Sequence, residues 1–439
     1  MSALRRTAKT LGMQALLLTA LPANLVVTGA ALARAAVVGA PPRETPERPR
    51  TVLLSGGKMT KALALARAFH AAGHRVVLVE SARYRLTGHR FSRAVDAFHT
   101  VPAPEDPGYV DALVDVVRRE GVDVYVPVCS PASSWYDALA KPVLEQYCEV
   151  LHGDAEAIAT VDDKAAFAAA ARSSGLAVPD THRVTSADDV AEFDFPPGGP
   201  AYVLKSIPYD PVARLDLTPL PRPTLAQTTA VAAAKPISPG TPWILQAFVR
   251  GQEYCTHGTA RDGRLQVYCC CESSAFQLNY AAVDHPEIER WVTRFVAERG
   301  LTGQYSFDLI VDDDGRPVAI ECNPRTHSAI TMFYDQPAAL AAAYLGDVDG
   351  TVRPSTTSRP TYWLYQELWR LLTTPTTALE RLRVLRRGKD AIFDLHDPLP
   401  FLLVHHLQIP ALLWATLLAG RDWLRIDVNI GKLVEPAGD

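Results

Sequence analysis

Between residues 51 and 150, short apolar runs alternate with longer amphipathic stretches. Three of these runs have the length of a buried strand: 51–55, 75–80 and 124–128. After the first run, apolar residues recur at helical spacing up to Gly73, and 109–120 repeats that spacing. Strands that alternate with helices predict an open, parallel α/β domain whose ligands bind at the carboxyl ends of the strands. From about residue 151 the pattern changes to strands and hairpins punctuated by Gly and Asp.

Two uncharged stretches lie near the ends of the chain. The first runs from Leu11 to Ala33, has basic residues on both sides, and is long enough to cross a bilayer as a helix. The second, from Pro398 to Gly420, contains His405 and other polar residues, which favours a membrane-surface or re-entrant element over a full span. Membrane contact through these stretches is one expectation, and burial of both against the folded protein is the alternative.

The composition narrows the class of protein. The chain has 439 residues, of which 48% are hydrophobic and 21% charged, and its formal net charge is −4. It is too apolar for a disordered chain and lacks the basic excess of a nucleic-acid-binding protein, so we expect no nucleic-acid partner. Seven cysteines, three of them consecutive at 269–271, fit neither a disulfide framework nor a zinc site and favour a reducing, cytoplasmic setting.

A hairpin in the second half of the chain carries the strongest candidate chemistry. Residues 305–311 and 317–321 have the composition of two strands, and the DDDG sequence at 312–315 between them is a strong turn sequence. With the turn centred on that sequence, Asp308 would lie opposite Ala319, and alternation would place Glu321 and Asn323 on the same face.

Three oxygen-bearing side chains would therefore converge on one side of this hairpin. Carboxylate and amide oxygens, here from Asp308, Glu321 and Asn323, are ligands that Mg²⁺ prefers. We predict a magnesium site, with Mn²⁺ as the alternative metal. A solvated acidic hairpin is the competing interpretation, but Glu321 directly follows the apolar residues 318–320.

Two lysines and a strand-to-loop segment precede the hairpin. Lys164 heads an amphipathic helix, and Lys205 ends the apolar strand 202–205. A lysine at the inner end of such a strand requires an anion, which nucleotide phosphates would supply, because burying an unpaired ammonium is costly. Further on, Gln246 lies in an apolar strand and Glu253 in the loop that follows, an arrangement that can bind an adenine edge and a ribose.

Two loops follow predicted strands of the α/β domain. Gly56 and Gly57 could cradle an anion at the start of a helix, because free N–H groups and the helix dipole favour negative charge there. They match neither a Walker loop nor a GxGxxG fingerprint, so a tight strand-to-helix turn is the alternative. Ser130, in the CSP sequence at 129–131, is placed to line the site, whereas its composition also suits a plain turn.

Four features follow one another along the chain: two lysines, the strand-to-loop segment 246–249 (the hinge), the acid Glu253, and the Asp and Glu-x-Asn residues of the hairpin. This order resembles the ATP-grasp superfamily over about residues 51–335. In that family an open α/β domain precedes two α+β subdomains that hold ATP between them. The resemblance implies an ATP-grasp fold of mixed α/β and α+β class. It divides the chain into an apolar segment with its linker (1–50), a Rossmann-like pre-ATP-grasp domain (51–150), the ATP-grasp domain (151–335, split into 151–240 and 241–335) and a C-terminal region with an apolar segment (336–439).

The same resemblance assigns roles to individual residues. It implies ATP contacts at Lys164, Lys205, Gln246, Ala247, Val249 and Glu253, magnesium ligands at Asp308, Glu321 and Asn323, and catalytic roles for Arg325 and Lys205. Two features depart from the family pattern. The hinge position is more often Glu than Gln, and after Lys205 the usual Gly-rich phosphate lid is replaced by the sequence SIPYDP.

Longer stretches are similar to the ATP-grasp mycosporine-glycine synthases over nearly the whole chain. They are SGGKMTKALALARAFHAAGHRVVLVE, DVYVPVCSPASSWYDALAKP, LKSIPYD, CCCESSAFQ, AIECNPRTHSAITMFYD and IDVNIGKLVEPAGD. The resemblance implies a ligase of mycosporine-like amino acid biosynthesis, a secondary metabolism that provides ultraviolet protection. Such an enzyme would join glycine to 4-deoxygadusol, a cyclohexenone, through a phosphorylated enol, with release of ADP and phosphate.

Substrate contacts are expected around the hairpin and the α/β loops: His327, Ser328, Ser130, Gly56 and Gly57. For His327 the alternative is a helix-start histidine bonded to the backbone. The expected partners are small molecules, with a homodimer left open. The catalytic body is expected in the cytoplasm, on the inner face of the membrane if the first apolar stretch inserts.

Two other functions fit the same residues. The first is an ATP-grasp ligase that joins a carboxylate to an amine through an acyl phosphate, such as an amino-acid or dipeptide ligase. The second is a membrane-attached nucleotide-binding module without turnover, against which the intact set of lysines and metal ligands argues. The product distinguishes the carboxylate–amine ligase from the cyclohexenone ligase. The former gives an amide, and the latter gives an ultraviolet-absorbing enaminone.

Overall fold

A computed structural model describes residues 3–39, 41–128, 130, 133–207, 216–273, 279–346 and 348–436. The strands are β1 (Thr51–Leu54), β2 (Arg75–Ser81), β3 (Ala97–Val101), β4 (Val124–Val126), β5 (Glu149–Val150), β6 (Thr181–Val184), β7 (Tyr202–Ser206), β8 (Trp243–Ala247), β9 (Gln252–Arg261), β10 (Arg264–Glu272), β11 (Asn279–Tyr280), β12 (Gly303–Val311), β13 (Pro317–Asn323), β14 (Thr361–Tyr362), β15 (Lys389–Asp390), β16 (Arg425–Asp427) and β17 (Lys432–Val434). The α-helices are α1 (Ala3–Val38), α2 (Thr60–Ala71), α3 (Tyr109–Glu120), α4 (Ser133–Leu144), α5 (Ala155–Asp162), α6 (Lys164–Ser173), α7 (Ala187–Ala191), α8 (Leu225–Ala233), α9 (Pro286–Glu298), α10 (Pro337–Leu345), α11 (Leu364–Thr373), α12 (Ala378–Arg387), α13 (Leu399–Leu403) and α14 (Ile409–Leu418).

The first sheet is parallel, with the strand order β3-β2-β1-β4-β5. Its strands are nearly continuous apolar runs because both faces of the sheet are covered. Val52 and Leu54 of β1 pack on one side with α2, whereas Leu53 packs on the other side with α3. The predicted parallel α/β domain is therefore confirmed, and β1, β2 and β4 are the three strands that the hydrophobic pattern indicated.

Two antiparallel sheets follow along the chain. The smaller has the order β6-β8-β7, and the larger has the order β10-β9-β12-β13. Helices α7 and α8 pack on the smaller sheet. Helices α6 and α9 pack on the larger one through a group of aromatic rings that includes Phe167, Phe295 and Phe307. Each sheet has its own apolar core, and both contribute residues to the cavity described below.

The hairpin formed by β12 and β13 differs in register from the prediction. Asp308 lies directly opposite Glu321, and Ala319 pairs with Leu309 instead. Ile320 is the extra residue of a β-bulge between these two pairs. The predicted pairing of Asp308 with Ala319 was wrong for two reasons. The turn is centred on Asp314, which shifts the pairing by one residue so that Leu309 pairs with Ala319, and the bulge then moves the partner of Asp308 one residue further, to Glu321. The bulge brings the two carboxylates face to face.

The C-terminal region folds back onto the first domain. In the turn between β16 and β17, the carbonyl oxygen of Asn429 accepts a hydrogen bond of 2.8 Å from the N–H of Thr60 at the start of α2. Gln408, in a π-helical turn between α13 and α14, donates to the carbonyl oxygen of Gly431 at 2.9 Å. The last described residues therefore close the N-terminal end of α2.

Gly431→Ala is expected to lower the free energy of unfolding by about 2–4 kcal/mol, through backbone strain and overpacking. Gly431 has a φ of +66°, and an added Cβ would lie 2.1 Å from the carbonyl oxygen of Lys58. Gly300→Ala is the matched control: Gly300 has a φ of +58°, but the described structure places nothing within 4 Å of its added Cβ. The control should cost about 1 kcal/mol, from strain alone. Chemical denaturation measures both, and equal losses would contradict the packing of this turn on the first domain.

Within the residues that the structure describes, two helical segments have the length and composition of a membrane span. They are α1, with 36 residues and a mean hydropathy of 1.8 in its most apolar window, and Leu399–Leu418, with 20 residues and a mean hydropathy of 1.6. The second segment comprises α13, the π-helical turn and α14. Both predicted apolar ends are thus helical. Length and composition alone do not place them in a membrane, because buried helices of soluble proteins meet the same criteria.

Candidate active site

A cavity of about 2090 Å³ is lined from both antiparallel sheets and extends to the C-terminal turn. Most of the predicted site residues line it: Lys164, Lys205, Gln246, Ala247, Val249, Glu253, Asp308, Glu321, Asn323, Arg325, His327, Ser328 and Ser130. Gly56 and Gly57, also in the described part of the chain, do not line it, although the adjacent Lys58 does. The fold therefore brings together residues that are separated by almost two hundred positions in the chain.

The three predicted metal ligands meet on the hairpin. Asp308 faces Glu321, and Nδ2 of Asn323 lies 3.2 Å from Oδ2 of Asp308 and 3.4 Å from Oε1 of Glu321. The described residues contain no group of three or more His, Cys, Asp or Glu side chains placed to hold a metal ion, so the third ligand here would be the amide. The Asn323 amide now donates through Nδ2 to both carboxylates, and a half-turn of the amide would present Oδ1 in its place. Two carboxylates and Oδ1 would then form an all-oxygen donor set, which fits Mg²⁺ when substrate phosphates and water complete its coordination.

The charges around the two carboxylates are unequal. Burial raises the pKa of Asp308 well above its usual range, and the adjacent Glu321 carboxylate adds to the increase. Burial also opposes ionisation of Glu321, but the Lys164 ammonium, a hydrogen bond with Asp308 and the Lys205 ammonium together hold its pKa below the usual range. The lysines thus compensate the negative charge of Glu321 but not that of Asp308. A divalent cation would supply the positive charge that Asp308 lacks.

The two lysines reach the cavity from different elements. Lys164 is the first residue of α6, which is capped by the side chain of Asp163, and its ammonium nitrogen lies 3.4 Å from Oε2 of Glu321. Lys205, on β7, donates to Oε1 of Gln246 at 2.8 Å, and burial lowers its pKa. An ammonium held by a neutral amide at the wall of a cavity favours an anionic ligand there.

In the hinge, the side chain of Gln246 makes a contact that the sequence analysis did not predict. Gln246 is only 1% exposed, and while its Oε1 accepts from Lys205, its Nε2 donates to Oγ1 of Thr181 at 3.2 Å. In this structure the side chain predicted to bind adenine instead orients a lysine. Ala247 and Val249 line the cavity beside it.

Some residues predicted to contact the nucleotide or the substrate lie next to segments that the structure does not describe. Glu253 lines the cavity, and its Oε1 accepts a hydrogen bond of 3.0 Å from Oγ of Ser273. The segment that replaces the Gly-rich lid continues into 208–215, which lies outside the described residues. Ser130 lines the cavity, whereas its neighbours Cys129 and Pro131 also fall outside them.

The predicted acceptor side lies just after the hairpin. The Arg325 guanidinium favours the ionised form of Asp162, whose pKa burial raises, and it also favours the ionised form of Glu321. His327 accepts a hydrogen bond of 3.3 Å at Nδ1 from the N–H of Ala329, at the start of a 3₁₀ helix. This hydrogen bond is the one expected if His327 is a helix-start histidine bonded to the backbone, which was the alternative to a substrate contact. The residue also lines the cavity.

N–H groups of the glycine turn after β1 donate hydrogen bonds to acceptors within the protein. The N–H of Gly57 donates to the carbonyl oxygen of Val79 at 3.1 Å, and the N–H of Lys58 donates to the carboxylate of Glu80 at 2.9 Å. The substrate contact of Gly56 and Gly57 stays a prediction, and the N–H groups of Gly57 and of the adjacent Lys58 already have partners within the protein.

The C-terminal turn contributes residues that the sequence analysis missed. Asp427 and Asn429 line the cavity, and the side chains of Asn429 and Ser328 are hydrogen bonded at 2.8 Å. Tyr280 also lines it, with its ring 5.1 Å from that of His327. Two polar residues within the apolar sequence IDVNI at 426–430 were the available signal, but the pattern does not reveal which distant residues they meet.

Cys255→Ser is expected to retain ATP-dependent turnover within about 3-fold, because phosphoryl transfer from ATP requires no thiol. Cys255 lines the cavity, and a hydrogen bond with Cys271 and the nearby His327 lower the pKa of its thiol despite burial. The cysteines of the described part of the chain are buried and form no disulfide, and 269–271 lie within β10. Rates of ADP release from Cys255→Ser and its strand partner variant Cys271→Ser provide the check. A loss of about 100-fold confined to Cys255→Ser, with the protein still folded, would instead indicate covalent chemistry.

No protein-family model and no curated protein matches the sequence. Solved structures with a similar fold include an L-amino acid ligase from Bacillus licheniformis, with 15% identity and a TM-score of 0.50 over 64% of this chain and 68% of that chain. Another is an N5-carboxyaminoimidazole synthetase from Staphylococcus aureus complexed with ADP, with 14% identity and a TM-score of 0.53 over 72% of this chain and 82% of that chain. A third is the biotin carboxylase domain of a 2-oxoglutarate carboxylase from Hydrogenobacter thermophilus in complex with MgADP and bicarbonate, with 13% identity and a TM-score of 0.50 over 70% and 72% of the two chains. Identities this low establish the fold alone, and the chain has the ATP-grasp fold.

Proposed function

We propose that this protein is an ATP- and Mg²⁺-dependent ligase. The observation that carries the proposal is the convergence of Lys164, Lys205 and the hairpin ligands of β12 and β13 on one cavity between two antiparallel sheets. ADP in one structure of similar fold and MgADP in another support a nucleotide at this place. Because ATP is a cytoplasmic substrate, the proposal also places the catalytic body in the cytoplasm.

In this proposal the cationic side chains bind and align the γ-phosphoryl group. Lys164 and Lys205 would contact the phosphates, and Arg325 would stabilise the charge that develops during transfer. Bound Mg²⁺, held by the hairpin ligands, would supply charge neutralisation at the phosphate oxygens. Gln246 would keep Lys205 in place, since it holds that ammonium at 2.8 Å.

We propose 4-deoxygadusol and glycine as the substrates. The long stretches that resemble mycosporine-glycine synthases support this choice, because residues within 319–335 and 426–439 line the cavity. The enol oxygen of the cyclohexenone attacks the γ-phosphorus and ADP leaves. The glycine amine then adds to the phosphorylated carbon, phosphate leaves with the former enol oxygen, and loss of a proton from nitrogen gives the enaminone.

Oxygen-18 placed at the enol oxygen of 4-deoxygadusol tests this sequence of steps. The proposal expects the label in the released phosphate, one ADP per product, and a glycine-containing product with red-shifted ultraviolet absorbance. Label recovered in water while ATP stays intact would contradict the phosphorylated enol.

A carboxylate–amine ligase is the second candidate. The similarity in fold to an L-amino acid ligase favours it, since the same lysines and hairpin would activate a carboxylate as an acyl phosphate. Label from an ¹⁸O-carboxylate that reaches phosphate, together with an amide product, would establish this reaction in place of the first.

A further inference from the structure

Helix α1 packs on the rest of the protein through its polar side. The polar residues buried on that side are Thr10, Gln14, Asn24 and Thr28. Gln14 donates to the carbonyl oxygen of Pro410 at 2.9 Å, and Nδ2 of Asn24 donates to the hydroxyl of Tyr365 at 2.5 Å. This arrangement is the reverse of an ordinary surface helix, which buries its apolar side and exposes its polar side.

The outward side of α1 is apolar along its length. Its exposed large apolar residues are Leu4, Leu11, Leu16, Leu18, Leu25, Val26, Val27, Leu32, Val37 and Val38. Leu18 is 63% exposed and Val26 is 71% exposed. A contiguous apolar face of this kind marks an interaction surface, because water alone would leave it unfavourably hydrated.

The helices beside α1 extend this surface and add positive charge. Helix α11 lies next to α1, because its Tyr365 binds Asn24, and Trp369 one turn later is 53% exposed. Exposed arginines on α1 and on α12, which packs against α11, are Arg5, Arg34, Arg383, Arg386 and Arg387. The α1 sequence contains no acidic residue. Basic side chains around an apolar face complement a bilayer that carries anionic headgroups.

We infer that the outward side of α1, together with Trp369, docks on an anionic lipid bilayer with the helix lying in the plane of the interface. The in-plane orientation follows from the attachments of α1, which run from Thr10 to the buried Ala31 and hold most of the helix along the protein surface. A helix bound in this way presents one side to lipid at a depth of about 5–10 Å. The sequence-based alternatives of a full span and of complete burial are both replaced, since only the polar side is covered.

A second copy of the chain fits this face less well than a bilayer does. The exposed basic residues of α1 are Arg5 near one end and Arg34 near the other, whereas Arg6 lies 4.0 Å from Asp422 and Lys9 donates to the carbonyl oxygen of Trp423. Parallel and antiparallel pairing of two α1 helices would both bring exposed arginines together, without acidic residues on α1 to compensate. Anionic headgroups would neutralise both ends.

Flotation of the full chain with vesicles tests the inference. We expect the protein to float with vesicles of phosphatidylcholine containing about 30% phosphatidylglycerol, more strongly at low salt, because basic residues near the surface add affinity. The double variant Leu18→Glu/Val26→Glu should lose at least about 10-fold in vesicle affinity, since charges on the lipid side are costly. Leu225→Glu is the matched control: Leu225 is 65% exposed on α8, which packs on the sheet β6-β8-β7, and its replacement should leave binding unchanged.

Two further measurements keep the result decisive. Val37→Glu changes a residue that is 87% exposed at the end of α1, and it should weaken flotation without changing the thermal unfolding temperature. An N-terminal tag should remain cleavable by protease added outside the vesicles, and protection of the tag would contradict the in-plane orientation. Absence of flotation, together with a solution dimer that Leu18→Glu/Val26→Glu converts to a monomer, would overturn the inference in favour of a second copy.

Discussion

Asp308→Asn is expected to lower ATP-dependent turnover at least about 100-fold, because even outer-shell partners of metal sites cost about 10–100-fold when they are removed. The substitution keeps the side-chain volume but removes one of the two charges that face each other across the bulged hairpin. Since two buried carboxylates repel each other without a cation between them, the variant should be as stable as the parent protein, or more stable, in the absence of ligand. Lost activity with retained stability is the signature expected of a metal ligand rather than of a structural residue.

Asp313→Asn is the matched control for this prediction. Asp313 lies at the exposed tip of the same hairpin, so its replacement should change neither turnover nor the dependence of the rate on Mg²⁺. Initial rates of ADP formation over a range of Mg²⁺ concentrations provide the comparison. Equal rates for Asp308→Asn and the parent protein at limiting Mg²⁺ would remove Asp308 from the metal site.

Lys205→Met is expected to weaken ATP binding by about 2 kcal/mol or more, as for loss of one partner from a buried charge pair. This corresponds to roughly 30-fold or more in Kd. Without nucleotide, two effects on stability oppose each other in this variant. Methionine removes the cost of burying an ammonium whose pKa burial lowers, but it also removes part of the charge that compensates Glu321 and leaves Oε1 of Gln246 without its donor. The test is therefore the change that nucleotide produces in each protein. The thermal shift produced by MgATP should be large in the parent protein and nearly absent in the variant.

Lys141→Met is the matched control for the lysine prediction. Lys141 is also partly buried, but its ammonium donates to the carbonyl oxygen of His152 at 2.7 Å and lies 3.6 Å from Oε1 of Glu145, and the residue is not part of the cavity wall. Its replacement should leave the MgATP-induced shift unchanged while it alters the stability of the unliganded protein. A full shift in Lys205→Met would show that the nucleotide phosphates bind elsewhere.

The sequence predicts structure best where residues of one chemical type recur at the spacing of a strand or a helix. That Glu321 and Asn323 lie close together could be predicted because alternation places them on one face, and the parallel sheet could be predicted because its strands are short apolar runs. The register of Asp308 could not be predicted, since the composition of the strands reveals neither the centre of the turn nor the residue inserted by a bulge.

Contacts between distant parts of the chain were beyond the reach of pattern analysis. Asn429 reaches the site because the C-terminal turn packs on α2, and no local feature specifies that partner. Gln14 and Asn24 lie within the uncharged stretch Leu11–Ala33, and nothing in that stretch indicates that they bind the protein body, as they do in the structure. Polar residues within an apolar helix gain free energy from such hydrogen bonds only once their partners are in place.

The most direct test of the central claim is ADP formation by the purified full-length protein. ATP and Mg²⁺ are supplied alone, then with 4-deoxygadusol, and then with 4-deoxygadusol and glycine, with Asp308→Asn run in parallel. We predict ADP release that requires the acceptor, reaches its full rate with glycine, and is lost in the variant. ATP that remains intact under every condition, with the parent protein folded and Mg²⁺ saturating, would contradict the assignment as an ATP-dependent ligase.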